Sequence, residues 1–183
     1  MKSILMTPGN ASLLRRSKKW ATRRLVKADG DECRYGGPGD LLWVRENWQL
    51  VELPFADQDP ESHIWKGPAP KAHPGGLWHV VYQADHLRSD LPRWRPSIHI
   101  PKWAARFILK IHKVHKEPLH AIDDAGAQEE GMRDALDYRE LWEEINGRGS
   151  WRDNPEVWVI RYTKTEPHLC QQTQRPTGSV RER

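Results

Sequence analysis

The segment LLWVRENWQLV, residues 41–51, limits the possible folds more than any other part of the sequence. Its residues alternate as those of a β-strand do, so that Trp48 falls on one face with Leu42 and Val44, and Trp43 falls on the other. A strand with a tryptophan on each face belongs to a closed or covered sheet more readily than to an exposed edge. The segment therefore predicts a sheet that is covered on both sides.

The rest of the chain adds further short strands and three helices. Strand composition recurs in residues 2–6, 21–27, 77–85, 108–115 and 156–162. Helices are predicted over about residues 8–18, from Asp123 or Asp124 to Glu130, and over 137–146. Five or six strands interrupted by three helices predict an α+β domain, a small, partly closed β-barrel with helices packed around it.

Two segments lack any periodic pattern. Residues 53–76 contain five prolines, and an irregular segment of this length is usually a lid, a binding loop or an insertion. Residues 164–183 are rich in Thr, Gln, Pro and Arg, which predicts a disordered polar tail. The folded domain is therefore expected to span residues 1–163 around a single core.

Several classes of protein are not expected. No apolar stretch approaches the roughly 18 residues of a membrane span, and no signal peptide is evident, so we expect a cytoplasmic protein without membrane contact. Cys33 and Cys170 are too few and too distant for a disulfide scaffold or a cysteine zinc site. His112 and His115 would point to opposite faces of a strand, so we expect no metal and no other cofactor. Phosphate-loop, nucleophile-elbow and dinucleotide motifs are absent from the sequence.

The charges are distributed unevenly along the chain. Residues 1–27 contain eight Lys and Arg residues and no acid, whereas residues 116–144 contain ten acids and three such cations. The basic segment favours a phosphate or carboxylate partner. Alternatively, it is a solvated face that pairs with the protein's own acidic helices, and those helices could also contact a partner protein.

Six segments of the sequence resemble, in this order, the ASCH-domain proteins common in bacteriophages and prophages, which belong to the wider class of PUA-like domains. They read SKKWATRRL, CRYGGPGDLLWVREN, YQAD, WRPSIHIPKWAARF, LHAIDDAGAQEEGM and YRELWEEINGRGSWRDNPEVWVIRY. The resemblance runs from about residue 2 to residue 163. It implies a PUA-like pseudo-barrel with a cleft beside the first helix, and a partner that is RNA or a modified nucleoside. Some small members of the family remove the acetyl group from N4-acetylcytidine, and a ribonuclease activity has been proposed for others.

The resemblance also points to individual residues. The family signature near the first helix is Gly, one residue, Lys, Thr, one residue, Thr, and then an arginine, which Arg24 matches. Ser17 stands in place of the glycine and Trp20 in place of the first threonine. The positions that match the catalytic group of the amidohydrolases are Lys19, Thr22 and Glu130.

Amide hydrolysis by this group requires a lowered pKa of Lys19 and a bend in the chain, and the sequence alone establishes neither. Thr22 would be the nucleophile, and Lys19 could take its proton near pH 7 only if burial or nearby cations lower its pKa from about 10.4. Glu130 would pass a proton to the leaving amine. Because a spacing of three places Lys19 and Thr22 on opposite faces of a strand, the mechanism also requires a bend between them.

Binding without turnover is the first hypothesis, amide hydrolysis the second, and a protein that interacts with partners in phage development the third. Cations of the basic segment could meet phosphates, and a tryptophan could stack on a base. The candidate ligand-binding residues are Lys19, Trp20, Arg23, Arg24, Trp94, Arg95 and Ser97. The tryptophans expected in the core are Trp43, Trp142 and Trp158, and Trp151 is expected to pack as a plug.

Overall fold

A computed structural model describes residues 1–27, 32–53, 63–85 and 93–165 of the chain. Within these ranges the chain forms seven strands: β1 (Lys2–Leu5), β2 (Ala21–Leu25), β3 (Leu41–Arg45), β4 (Trp48–Glu52), β5 (Trp78–Tyr82), β6 (Ile108–Pro118) and β7 (Glu156–Thr165). Its α-helices are α1 (Pro8–Arg15), α2 (Asp124–Glu129) and α3 (Ala135–Asn146), and three short 3-10 helices cover Ser97–His99, Lys102–Ala104 and Leu119–Ala121. The predicted α+β class is confirmed.

Five strands form a mixed sheet in the order β1-β3-β6-β7-β2, in which only β1 and β3 are parallel. In a flat sheet the two edge strands would lie about 19 Å apart, since neighbouring strands are about 4.8 Å apart. Arg24 on β2 nevertheless donates a hydrogen bond to the backbone oxygen of Leu5 on β1, at 2.9 Å. The sheet must therefore curl into an open barrel, and its seam lies between β1 and β2.

The prediction of one strand over residues 41–51 is wrong. The segment forms β3 in the large sheet and then β4, which pairs with β5 in a separate two-stranded sheet. Between them the side chain of Glu46 is buried and accepts two hydrogen bonds of 2.8 Å from Arg106. Asn47 donates to Gln83 and accepts from the backbone of Ser97. These long-range partners direct the chain from one sheet to the other. Because this segment forms two strands, the described residues contain seven strands instead of the predicted five or six.

The buried side chains form three clusters around the sheets. The first lies inside the curled sheet and includes Leu14 of α1 and Ile160 of β7. The second lies on the outer face, where Val157 and Val159 of β7 pack beneath α2 and α3. Strand β7 thus contributes alternate residues to two separate cores. Trp142 is buried in the second cluster, and Trp151 packs against it, as predicted.

The third cluster lies around the small sheet, and several tryptophans belong to it or pack against it. Trp48 is buried in it, and the partly buried residues that pack against it include Trp43, Trp65, Trp78 and Trp103. Trp65 and Trp103 also donate indole hydrogen bonds, of 2.9 and 3.0 Å, to the backbone oxygens of Pro68 and Pro70. The described part of the predicted lid or insertion, residues 63–76, is therefore packed onto the small sheet. Residues 54–62 lie outside the described part of the chain.

The ends of the later elements follow the sequence signals. Asp123 caps α2 by accepting a hydrogen bond of 2.7 Å from the backbone of Gly126, and Gly131 follows the helix with a φ of 88°. Gly147 ends α3 with a φ of 100°. Strand β7 continues to Thr165, two residues into the segment 164–183 that was predicted to be disordered, and residues 166–183 lie outside the described ranges. In the described ranges, no helix has the length and the apolar character needed to cross a membrane.

Helix α1 begins at Pro8 as predicted but ends at Arg15, three residues before the predicted end. After it, Ser17 takes a φ of 56°, and the backbone of Lys18 donates a 2.9 Å hydrogen bond to Leu13. This pattern is the Schellman motif, which favours glycine at the residue with positive φ. The position where the ASCH signature has glycine is thus one where the backbone itself favours glycine.

We expect Ser17→Gly to raise the free energy of unfolding by about 1 kcal/mol, because a side chain in the left-handed region costs roughly that amount. The hydrogen bond of 3.2 Å between Lys164 and the Ser17 hydroxyl is exposed, so its loss should cost little. Urea unfolding of both proteins measures the difference. Ser17→Ala is the control and should show no gain, because it keeps a Cβ. Equal stability of Ser17→Gly and the wild type would contradict this explanation.

Candidate functional site

A cleft of about 700 Å³ lies at the seam of the barrel. Its walls come from the corner between β1 and α1, from β2 and the two residues after it, from α3, and from Glu130 at the end of α2. The two edge strands do not pair here, so the opening that the curled sheet leaves between them becomes a concave surface. The cleft lies beside the first helix, where the resemblance implied one.

The charged residues that line the cleft are predominantly positive. It includes the cations Arg23, Arg24, Lys27 and Arg34, whereas Glu130 is the one acid among the lining residues. The charge of Glu130 is moreover balanced by a lysine behind it. A concave surface with an excess of one charge raises the local concentration of oppositely charged ligands. The cleft therefore favours anions.

Glu130 and Lys19 form a buried ion pair at the wall of the cleft. The Lys19 ammonium contacts Glu130 Oε2 and donates a second hydrogen bond, of 3.1 Å, to the backbone oxygen of the same residue. Both side chains are at most 3% exposed. Burial lowers the pKa of Lys19 below its ordinary value, although the contact with Glu130 acts in the opposite direction. Two of the three predicted catalytic residues are thus in contact.

Thr22 lies on β2 and is buried, but it does not line the cleft. Its cross-strand partner is Ile160, a residue of the interior cluster, so its side chain faces the inside of the curled sheet. Its hydroxyl has no hydrogen-bond partner within the described residues. Lys19 precedes the first residue of β2 and is therefore not bound by strand alternation. The structure joins Lys19 to Glu130 and leaves the Thr22 hydroxyl unpaired.

Arg23 lines the cleft but is held by the protein itself. Its guanidinium binds Glu117 at 2.9 and 3.0 Å, lies 3.6 Å from Glu130, and donates to the backbone oxygen of Gly126. It also lies over the Tyr138 ring, 5.7 Å from its centre. Arg23 thereby connects β2 to β6, α2 and α3. Its charge is paired with that of Glu117, and few of its donors are left for a ligand.

The remaining binding candidates divide into two groups. Arg24 and Ser97 line the cleft, whereas Trp20, Trp94 and Arg95 are not among its lining residues. The guanidinium of Arg95 donates to Gln49 and to the backbone oxygens of Trp65 and Gly67. Arg95 therefore fastens the small sheet to the proline-rich loop.

Three buried polar atoms at the cleft wall have no hydrogen-bond partner within the described residues. They are Asn10 Oδ1 on α1, Glu130 Oε1, and the indole nitrogen of Trp142 on α3. An unpaired buried polar atom costs about 1 to 3 kcal/mol. The protein covers all three atoms, so a ligand in the cleft does not reach them unless the wall shifts. Sequence reasoning did not single out Asn10, and it assigned Trp142 to the core, where the structure places it.

Comparison with known proteins yields one distant structural likeness. No protein-family model matches the chain, and no curated protein matches its sequence. The crystal structure of protein EF3133 from Enterococcus faecalis V583, described as family-model DUF984, is similar with a TM-score of 0.44 and 11% sequence identity. The match covers 91% of this chain and 82% of that one. A likeness at this level is too distant to assign a family or an activity.

We expect Glu130→Ala to lower the free energy of unfolding by about 3 to 5 kcal/mol, because it leaves the buried Lys19 charge without its partner. The neighbouring Glu129 is a matched control. It pairs with Arg161 at 2.7 Å, but both side chains are partly exposed, so Glu129→Ala should cost less than about 1 kcal/mol. Urea unfolding measures both values. Similar losses of unfolding free energy in the two variants would contradict a large stabilising contribution from the buried pair.

Proposed function

We propose that the cleft binds a nucleotide, either free or as part of an RNA, including nucleotides with a modified base. The observation that carries this proposal is the combination, in one cleft, of excess positive charge with apolar surface from α3. The cations suit a phosphate, and the apolar surface suits the face of a base. The resemblance to ASCH-domain proteins supports the same class of ligand.

The shape and the lining of the cleft suit such a ligand. Its volume of about 700 Å³ lies within the range usual for small-molecule sites. Leu141 and Ile145 of α3 supply apolar surface for a base. Lys27 and Arg34 are exposed cations at the cleft and leave their charge accessible to a phosphate. The ligand would place its base against α3 and its phosphate towards these two residues.

We expect cytidine 5′-monophosphate to bind more tightly than cytidine, because only the former engages the exposed cations. Arg34→Ala should weaken binding of the monophosphate about tenfold and leave binding of cytidine unchanged, since a charge-assisted hydrogen bond contributes roughly 1.5 to 3 kcal/mol. Isothermal titration calorimetry at low salt measures both. Arg139→Ala removes an exposed arginine outside the cleft lining and serves as the control. Failure of both ligands to bind the wild type would refute the proposal.

Amide hydrolysis is the second candidate, and the contact between Lys19 and Glu130 favours it. In this scheme the Thr22 oxygen attacks the acetyl carbonyl of N4-acetylcytidine, and its proton passes to a neutral Lys19. The ion-pair proton that Lys19 gives up lies on Glu130, which donates it to the departing amino group of cytidine. Water then attacks the acetyl-Thr22 ester and releases acetate, while Lys19 returns a proton to the Thr22 oxygen and a proton of the water restores Glu130. The lowered pKa of Lys19 supports its role as a base. The scheme also requires the Thr22 hydroxyl to reach the ligand, which is why binding comes first.

If the protein is such a hydrolase, we expect purified protein to convert N4-acetylcytidine to cytidine and Thr22→Val to abolish this conversion. Valine has nearly the same shape, and the hydroxyl it removes is buried without a partner among the described residues, so stability should not fall. Chromatography of the nucleosides measures turnover, and thermal unfolding provides the control for folding. A wild type that releases no cytidine, or a Thr22→Val variant that retains full activity, would end the hydrolase proposal for this substrate.

A further inference from the structure

Tyr138 of α3 belongs to the second hydrophobic cluster and also lines the cleft. The residue is only 3% exposed. The centre of its ring lies 6.3 Å from that of Trp142 and 6.4 Å from that of Trp151, and the guanidinium of Arg23 lies over it. The protein thus holds the ring in place, and the hydroxyl at the end of the ring is the part that can meet a ligand.

The Tyr138 hydroxyl makes no hydrogen bond within the described part of the chain. Unlike the three unpaired atoms of the cleft wall, it is not fully covered by the protein. Tyr162 provides a contrast, because its buried hydroxyl donates to the backbone oxygen of Ala21 at 3.4 Å. A buried tyrosine usually has a hydrogen-bond partner for its hydroxyl. For Tyr138, the cleft is the direction from which such a partner can approach.

The surroundings of Tyr138 keep its hydroxyl protonated. Burial raises the pKa of Tyr138 well above its ordinary value, and the Glu130 carboxylate acts in the same direction, whereas Arg23 and Arg24 act against it. A phenol that keeps its proton can donate a hydrogen bond. The wall therefore presents a neutral donor to the cleft.

Tyr138 lies at the buried end of an apolar face of α3. Leu141 and Ile145 follow it at spacings of three and seven, so the three side chains share one face of the helix, and all three line the cleft. Exposure increases from 3% at Tyr138 to 45% at Ile145. At 1.5 Å per residue, this face is about 10 Å long. It offers apolar surface to a flat ring and a hydrogen-bond donor to the inner edge of that ring.

The accessible cations lie away from this donor. Arg23, which contacts Tyr138, and Arg24 both donate to acceptors of the protein itself. Lys27 and Arg34 are exposed. Lys27 follows Arg23 by four residues, which is up to about 13 Å along an extended chain. A phosphate at Lys27 and Arg34 leaves the Tyr138 hydroxyl to the base.

We propose that the Tyr138 hydroxyl donates a hydrogen bond to a carbonyl oxygen of the base and thereby determines which bases the cleft accepts. The inference rests on the nucleotide site proposed above and adds to it the residue that reads the base. A carbonyl oxygen suits this donor because it accepts through two lone pairs. Cytosine and uracil carry such an oxygen, whereas adenine does not. The site should therefore favour these pyrimidines over adenine.

The test compares cytidine with 2-thiocytidine, in which sulfur, a weak acceptor, replaces the carbonyl oxygen of the base. We expect the wild type to bind 2-thiocytidine about fivefold less tightly than cytidine, the effect of one hydrogen bond between uncharged groups. Tyr138→Phe should bind cytidine about fivefold less tightly than the wild type does, and it should no longer distinguish the two nucleosides. Isothermal titration calorimetry of the full chain measures these affinities.

Tyr162→Phe is the matched control, because it also removes a buried hydroxyl but one that does not line the cleft. It should leave both affinities unchanged. Phenylalanine keeps the ring contacts of Tyr138, and circular dichroism checks the fold of both variants. Undiminished affinity of Tyr138→Phe for cytidine would overturn the proposal. Equal weakening of cytidine and 2-thiocytidine would also overturn it, because it would indicate a general disturbance of the cleft.

Cytidine 5′-monophosphate separates this inference from the nucleotide site itself. Tyr138→Phe should weaken cytidine and the monophosphate by the same factor, whereas Arg34→Ala should weaken the monophosphate alone. A loss in Tyr138→Phe that is confined to the monophosphate would place the hydroxyl on the phosphate and overturn the assignment to the base. A wild type that binds neither ligand would refute the nucleotide site and this inference together, and a wild type that binds both while Tyr138→Phe changes nothing would refute only the role of Tyr138.

Discussion

The buried ion pair between Lys19 and Glu130 determines how the parts of this protein fit together. Removing two charges from water is costly, and their attraction offsets that cost only when the geometry is good. The pair therefore fixes the residues just before β2 against the end of α2. Arg23 extends the connection to β6 and α3 through Glu117 and Tyr138. One side of this assembly forms a wall of the cleft.

The cleft exists because the large sheet curls without closing. An unpaired sheet edge exposes backbone donors and acceptors and is normally a liability. Here the two edges approach each other, Arg24 connects them, and α3 lies beside the gap. The same incomplete closure leaves room for a ligand. A closed barrel of these strands would be better protected but would have no seam at which polar groups from α1, α2 and α3 could meet.

Local signals in the sequence predicted most of the fold, and the failures have a common physical origin. Alternation located the strands, and Asp123, Gly131 and Gly147 located helix ends, because each of these signals acts within a few residues. The break after β3 was missed because the alternating pattern continues while the partners change, and those partners, such as Arg106, are distant in sequence. Arg23 and Arg95 were predicted to bind a ligand for the same reason. The sequence identifies an arginine as a cation. The acceptors that its guanidinium binds are distant in sequence and become known only from the fold.

Trp20 illustrates what a departure from a family signature can mean. It replaces a threonine beside Lys19, and a bulky ring at that position would be expected to fill or reshape the pocket. In the structure it is half exposed and lies outside the cleft lining, while Ser17, the other departure, costs only backbone strain at the end of α1. Neither change therefore alters the wall that contains Glu130. In the proposed hydrolysis the deciding residue is then Thr22, whose hydroxyl is buried on the inner face of β2 and has no partner in the described part of the chain.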